Sequence, residues 1–268
     1  MQAYQYSIAD LRRVMQRLRD PLTGCPWDIC QDFHSIVPST LEECYELAEA
    51  IEQNDYPHVA EELGDVLFQV IFYAQLGEEE ALFSFEGVVN TLVEKLLRRH
   101  PHVFAGGEIE GVVSERSSVA EVKSSWEEIK QTERSARQED GILADIPHAL
   151  PALPRAQKVQ KRAAGVNFDW NDVAGAIIGL EEEIEELRSA IGAGAAAEIA
   201  DEMGDVLYSC VNVSRHLDLD AESMLRRSTS KFEKRFRRME AAAKHSGLAI
   251  IDMNDDQLDE LWELAKSS

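Results

Sequence analysis

The stretch Glu42-Glu43-Cys44-Tyr45-Glu46, followed by Glu61-Glu62-Leu63-Gly64-Asp65-Val66-Leu67, decides the fold because it occurs twice. Glu42, Glu43, Glu46, Glu62, Gly64 and Asp65 return 140 positions later as Glu182, Glu183, Glu186, Glu202, Gly204 and Asp205, and Val66 and Leu67 return as Val206 and Leu207. Further along, Lys95, Arg99, Trp126 and Lys130 return at an offset of 136 as Lys231, Arg235, Trp262 and Lys266. Each block keeps its internal spacing, so the chain carries an internal duplication. Between the copies, residues 135–154 hold Pro147, Pro151 and Pro154, which interrupt helical continuity. The expected boundary lies near residue 145, giving a first domain of residues 1–145 with the linker and a second of 146–268.

Within each copy the pattern is helical. Leu63, Val66, Leu67, Val70, Ile71 and Ala74 follow helical spacing, as do Met203, Val206, Leu207, Cys210 and Val211. Turn residues separate the acidic clusters: Asn54, Asp55 and Pro57 in the first copy, Gly192 and Gly194 in the second. Each copy is therefore expected to open with an antiparallel helical hairpin. The fold class is all-α, two tandem hairpin bundles whose four-helix core is assembled between repeats or subunits, because a lone hairpin cannot bury its own apolar stripe.

Residues equidistant from a hairpin turn lie level, since both helices rise by about 1.5 Å per residue. Glu46 and Glu62, and Glu43 and Asp65, centre on Asn54; Glu186 and Glu202, and Glu183 and Asp205, centre on Gly194. The members of each cluster on one helix are i, i+3 neighbours, so four carboxylates share one patch in each copy. Packed together they repel and call for a cation. Oxygen donors without histidine or cysteine select magnesium, with manganese as a substitute, over zinc. Lys231 and Arg235, spaced i, i+4, put two cations on one helical face able to hold phosphate oxygens, and Lys95 and Arg99 would do the same in the first copy.

Composition narrows the function. The 268 residues carry 50 acidic and 27 basic side chains, a formal charge of −23, which repels nucleic acid and anionic membranes. The same excess repels a free nucleotide unless cations are recruited, which the acidic patches would do. Cys25, Cys30, Cys44 and Cys210 show no C-x-x-C spacing and read as reduced thiols, and the seven histidines show no metal-ligand spacing. Met1 to Arg13 lack the basic start and apolar run of a signal peptide, and no segment approaches the roughly 20 apolar residues that span a bilayer, so a cytoplasmic location is expected. A P-loop is missing, no E-x-x-H occurs, no His-Asp pair occurs, and Pro57-His58 stands where a Nudix box needs Arg-Glu.

With these acids, glycines, basic pairs and tryptophans, the sequence resembles the MazG family of all-α nucleoside triphosphate pyrophosphohydrolases, in its two-domain form. Gly24-Cys25-Pro26-Trp27-Asp28, Arg99-His100-Pro101-His102-Val103-Phe104, and Lys231-Phe232 with Arg235-Phe236 also resemble that family, over residues 18–266. The resemblance implies magnesium-dependent hydrolysis of an NTP or dNTP to a monophosphate and pyrophosphate, by a homodimer. It implies that Glu183, Glu186, Glu202 and Asp205 bind metal, that Lys231 and Arg235 hold phosphates, and that Trp262 and Lys266 complete the pocket. Either Glu183 or Glu186 would be the general base. Glu43, Glu46, Glu62 and Asp65 would form the equivalent metal set of the first copy. The second copy is implied to be the hydrolytic one; His100-Pro101 ends the helix after Arg99, and a regulatory or structural role for the first copy stays open. The alternative is a non-catalytic nucleotide-sensing or partner-binding helical protein.

Overall fold

A computed structural model describes residues 5–112, 117–136 and 141–267. The side chain of Lys130 lies outside the described residues. The chain divides into two compact units, Met1–Thr132 and Glu133–Ser268. The first holds α1 (Ile8–Leu18), α2 (Pro26–Ile29), α3 (Val37–Gln53), α4 (Tyr56–Glu79) and α5 (Phe85–Arg99); α6 (Val119–Ala136) runs through the division. The second holds α7 (Ala152–Ala164), α8 (Val173–Ala193), α9 (Ala196–His216), α10 (Ala221–His245) and α11 (Asp255–Ser267). No strand occurs among the described residues, so the fold is all-α.

The hairpins form where turn chemistry ends one helix and starts the next. Helix α3 stops at Asn54, whose φ of 59° is left-handed, and Asp55 then caps α4 by accepting from the His58 N–H at 3.4 Å. Helix α8 stops at Gly194, with φ of 72°. The two residues on which the acid pairs centre are thus the two left-handed helix ends. Asp172 and Asp220 cap α8 and α10 by accepting from the N–H groups of Gly175 and Ser223 at 2.9 and 2.8 Å.

In the first unit α4 packs on α1 around Met15, Ile36, Ile71, Phe72 and Leu76, with Leu11, Phe33, Phe68 and Phe85 at the margin. Burying each such side chain contributes roughly 1.5–3 kcal/mol. Arg19 clamps the same helices by donating to Glu79 at 2.6 Å while lying 5.3 Å from the centre of the Phe72 ring. The buried hydrophobic residues of the second unit are mostly small, Ala176, Ala190, Ala221, Ala243 and Ala265, with Ile146, Val211 and Met239. There α7 is fastened by amides: Gln160 donates to the Tyr208 carbonyl at 2.9 Å, and Gln157 donates to the Leu219 carbonyl at 2.9 Å. Trp170 lies against α8, where a Cβ added at Gly179 would stand 2.9 Å from its ring.

The apolar stripes are only partly covered within their own units. Ile71 and Ala74 are buried, but Leu63 and Val70 of the same stripe are exposed, and the buried face turns instead through Phe72 and Leu76. On α9, Val211 is buried while Met203 and Leu207 are exposed. Helix α1 packs on α4 and α7 on α9, each reaching only part of its hairpin's apolar surface.

Candidate metal centre

Glu43 and Glu46 stand one turn apart on α3, and Glu62 and Asp65 one turn apart on α4; the second unit repeats this with Glu183 and Glu186 on α8 and Glu202 and Asp205 on α9. One carboxylate oxygen from each of Glu43, Glu46 and Glu62 lies within 4.8 Å of the others, and the same holds for Glu183, Glu186 and Glu202. Asp65 and Asp205 fall outside those tight sets, so each cluster is a trio with a fourth carboxylate beside it. The aspartates still act across the hairpin. Burial and then the charge of Asp65 push the Glu43 carboxyl above its ordinary value, and burial and then Asp205 do the same to Glu183. Glu202 is likewise raised, by burial and then by Glu186 opposite.

Glu62 is the most enclosed member, 6% exposed. Its Oε1 lies 2.7 Å from Nε2 of His58, one turn earlier on α4, and its Oε2 is buried without a hydrogen-bond partner among the described residues. A buried carboxylate oxygen left unmatched costs free energy, and three crowded carboxylates with oxygen donors alone fit a hard divalent cation. Both trios pass that test by donor chemistry, and the first also by its orphaned oxygen. His58 is the residue that sequence reasoning passed over. Its only signal is the i, i+4 spacing to Glu62; the corresponding residue of the second copy is Glu198.

The basic and aromatic residues gather around Trp262. Arg235 lies 5.8 Å from the Trp262 ring centre, Lys266 Nζ 5.8 Å, and the Phe232 ring 5.3 Å. Lys266 also pairs with Glu263 at 2.5 Å. Lys231 is exposed and forms no ion pair among the described residues. In the first unit α5 ends at Arg99, whereas α10 runs on to His245. His100 turns its Nδ1 to the Leu96 carbonyl at 2.7 Å and sets its ring 5.1 Å from Trp126. The Trp126 ring thus has an imidazole beside it, edge to face. Trp27 is exposed on α2.

Fold and site together define an all-α protein with duplicated carboxylate hairpins. Residues 31–104 and 173–239 each match the MazG nucleotide pyrophosphohydrolase domain, and the chain belongs to that family; it is an enzyme of the pyrophosphohydrolase type. It is 43% identical over 258 residues to the nucleoside triphosphate pyrophosphohydrolase of Escherichia coli strain K12, covering 96% of this chain and 95% of that one. It is 42% identical to the nucleoside triphosphate pyrophosphohydrolase/pyrophosphatase MazG of Thermotoga maritima, covering 96% and 94%. A nucleoside triphosphate pyrophosphohydrolase of Mycolicibacterium smegmatis is 32% identical over 74% of this chain and 64% of that one. No helix among the described residues is long and apolar enough to cross a membrane.

Proposed function

We propose that the second unit hydrolyses nucleoside triphosphates, NTP or dNTP, to the monophosphate and pyrophosphate with magnesium, in the clearing or regulation of nucleotide pools. The observation that carries this reading is the convergence of Glu183, Glu186 and Glu202 within 4.8 Å on two facing helices of a MazG domain. Relatives named nucleoside triphosphate pyrophosphohydrolase over nearly the whole chain support the substrate class.

Glu183, Glu186, Glu202 and Asp205 would hold magnesium, with manganese as a substitute. When bound, the cation supplies positive charge that draws in the triphosphate, polarises its phosphoryl oxygens and acidifies water. Glu183 or Glu186 would take the proton of the attacking water at its carboxylate; Glu183 is half-buried and raised by burial and by Asp205. Lys231 and Arg235 offset charge on the departing pyrophosphate. Trp262, with Lys266 beside it, offers a ring face to the base.

The working form is a homodimer. Ile177, Ile178, Met203 and Leu207 leave the second hairpin with exposed apolar surface that a second copy would cover.

Incubation with each nucleoside triphosphate and magnesium tests the reading. Monophosphate plus pyrophosphate is the expected product; diphosphate plus phosphate would contradict it, and no product would favour a nucleotide sensor.

A further inference from the structure

The second hairpin is tied at both ends. The Gly194 turn closes one; at the other, Asp172, which caps α8, and His216, in the last turn of α9, lie level, each 22 residues from Gly194. Asp169 bridges that open end. Its Oδ2 accepts from Arg215 Nη1 at 2.9 Å, its Oδ1 accepts from Arg215 Nη2, and His216 Nε2 lies 3.0 Å from the same Oδ1. Arg215 also donates through Nη2 to Asn212 Oδ1 at 2.7 Å, which fixes the guanidinium on its own helix. Arg215 and His216 keep only 14% and 11% of their side chains exposed. Burial alone would raise the Asp169 carboxyl, but Arg215 and then His216 hold it below its ordinary value, so the bridge is charged at neutral pH.

Trp170 carries the bridge onto α8. Its ring lies across two glycines: a Cβ added at Gly175 would stand 3.2 Å from it, and one at Gly179 2.9 Å. Gly175, Gly179, Glu183 and Glu186 follow i, i+4, i+8 and i+11, so the indole rests on the helical face that carries two of the trio's carboxylates, one turn before Glu183. At the offset of 140 the first unit has Gln75 and Leu76 for Arg215 and His216, and Ser39 for Gly179. There Phe72 and Leu76 pack with Met15 of α1 instead. An arginine–carboxylate fork sets direction as well as distance, and a ring wedged on two glycines sets how α8 is turned.

We propose that Asp169, Arg215 and Trp170 are positioning residues that set α8 against α9 at the second carboxylate trio. The bridge holds the far end of the hairpin, the Gly194 turn holds the near end, and the carboxylates lie between them. The inference rests on the reading that Glu183, Glu186 and Glu202 hold a divalent cation.

The test uses the full chain carrying Glu62→Gln, which weakens the first trio, and titrates Mn2+ by the electron paramagnetic resonance of the free ion, which gives the number of tight sites and their affinity separately. One tight Mn2+ is expected. Adding Arg215→Ala or Trp170→Ala should weaken it by about tenfold or more, the scale of losing a support behind a metal ligand, without lowering the number of sites. Trp170→Phe, which keeps a flat ring over the glycines, should recover most of the affinity. At saturating magnesium kcat should fall while KM for the triphosphate changes little, since Lys231, Arg235 and Trp262 lie on α10 and α11, outside the bridge. A bridge that only stabilises the fold would give fewer Mn2+ sites of unchanged affinity and a lower thermal midpoint, which overturns the proposal, as does unchanged affinity in either alanine variant. Loss of all tight Mn2+ on Glu62→Gln alone, when the unsubstituted chain binds it, places the cation in the first unit and overturns the inference. No Mn2+ bound by the unsubstituted chain overturns the cation reading and this inference with it.

Discussion

Arg235 holds its guanidinium 5.8 Å from the centre of the Trp262 ring, so the side chain proposed to bind phosphate and the ring proposed to stack the base are one packed unit. Trp262→Ala removes the stacking face and also frees Arg235 to wander. Cation–π contacts contribute about 0.5–2 kcal/mol, so KM for the triphosphate should rise roughly 3- to 30-fold, with a smaller fall in kcat. Trp262→Phe should keep most of the effect. Steady-state kinetics on both variants checks this.

The acid pairs make a sharper prediction. Glu202→Gln or Asp205→Asn should reduce turnover at least about a hundredfold, since a proposed metal ligand or its neighbour is lost, while the helical spectrum stays intact. Glu62→Gln or Asp65→Asn should leave most of the turnover in place. Pyrophosphate release from the four variants decides which unit carries the reaction; the reverse pattern would assign it to the first.

Much of this arrangement was legible beforehand. The duplication and the hairpin midpoints could be read because helices repeat every 3.6 residues and because Asn54 and Gly194 are residue types that tolerate a left-handed turn. The pairing of Glu43 with Asp65 and of Glu183 with Asp205 followed from counting alone. Counting could not give depth. Nothing in the spacing distinguishes Glu62, enclosed at 6%, from Asp65, which is exposed and outside the tight trio. The apolar stripe failed for the same reason: Leu63 and Ile71 look alike in sequence, but only Ile71 meets the first-unit core. His58 was invisible because a single histidine one turn from an acid is a common surface pair.

Crowding of the acids sets a pH dependence that metal should relieve. Glu43, Glu183 and Glu202 sit above the ordinary value of 4.5 in the folded chain, through burial and then the neighbouring acids. A carboxyl raised by folding favours the fold below its unfolded value, and that contribution is lost as pH rises through the folded value. In EDTA, the clusters therefore weaken the fold progressively above about pH 4.5, the unfolded value. Magnesium bound as proposed would compete with the proton for the same oxygens, so at neutral pH it should stabilise the fold by about 2.7 kcal/mol per site at a hundredfold excess over Kd, seen as a raised thermal midpoint. Near pH 4 the difference between magnesium and EDTA should vanish. Asp10, Glu79 and Asp169, held low by hydrogen bonds and arginines, act in the opposite sense, but they cancel in that difference.

Gly64 and Gly204 occupy the same place in their hairpins, and a Cβ added at either would meet nothing within 4 Å. Glycine inside a helix costs about 1 kcal/mol relative to alanine. Gly204→Ala should therefore stabilise the second unit by roughly that amount in chemical denaturation. Were the space beside Met203 and Asp205 used by substrate or a partner helix, the added methyl would also lower turnover. A stabilised variant with reduced turnover is the expected result; unchanged turnover would mean that the space is not used.

The exposed stripe on α9 gives the test of assembly. Leu207 is 50% exposed and Ile178, on the facing helix, 54%. Side chains of this size left in water forgo about 1.5–3 kcal/mol each when fully uncovered, and a hairpin carrying several of them gains by pairing with a second copy. Leu207→Glu places a charge on that face without touching the core around Val211. In a dimer the charge is buried without a partner, which is far more costly than the lost contact. Light scattering should give twice the chain mass for the unsubstituted protein and the chain mass for Leu207→Glu. Should turnover fall with dimerisation while Mn2+ binding to the isolated chain persists, the partner copy completes the nucleotide pocket and not the cation site; a monomeric unsubstituted protein with full activity would remove the homodimer from the proposed function.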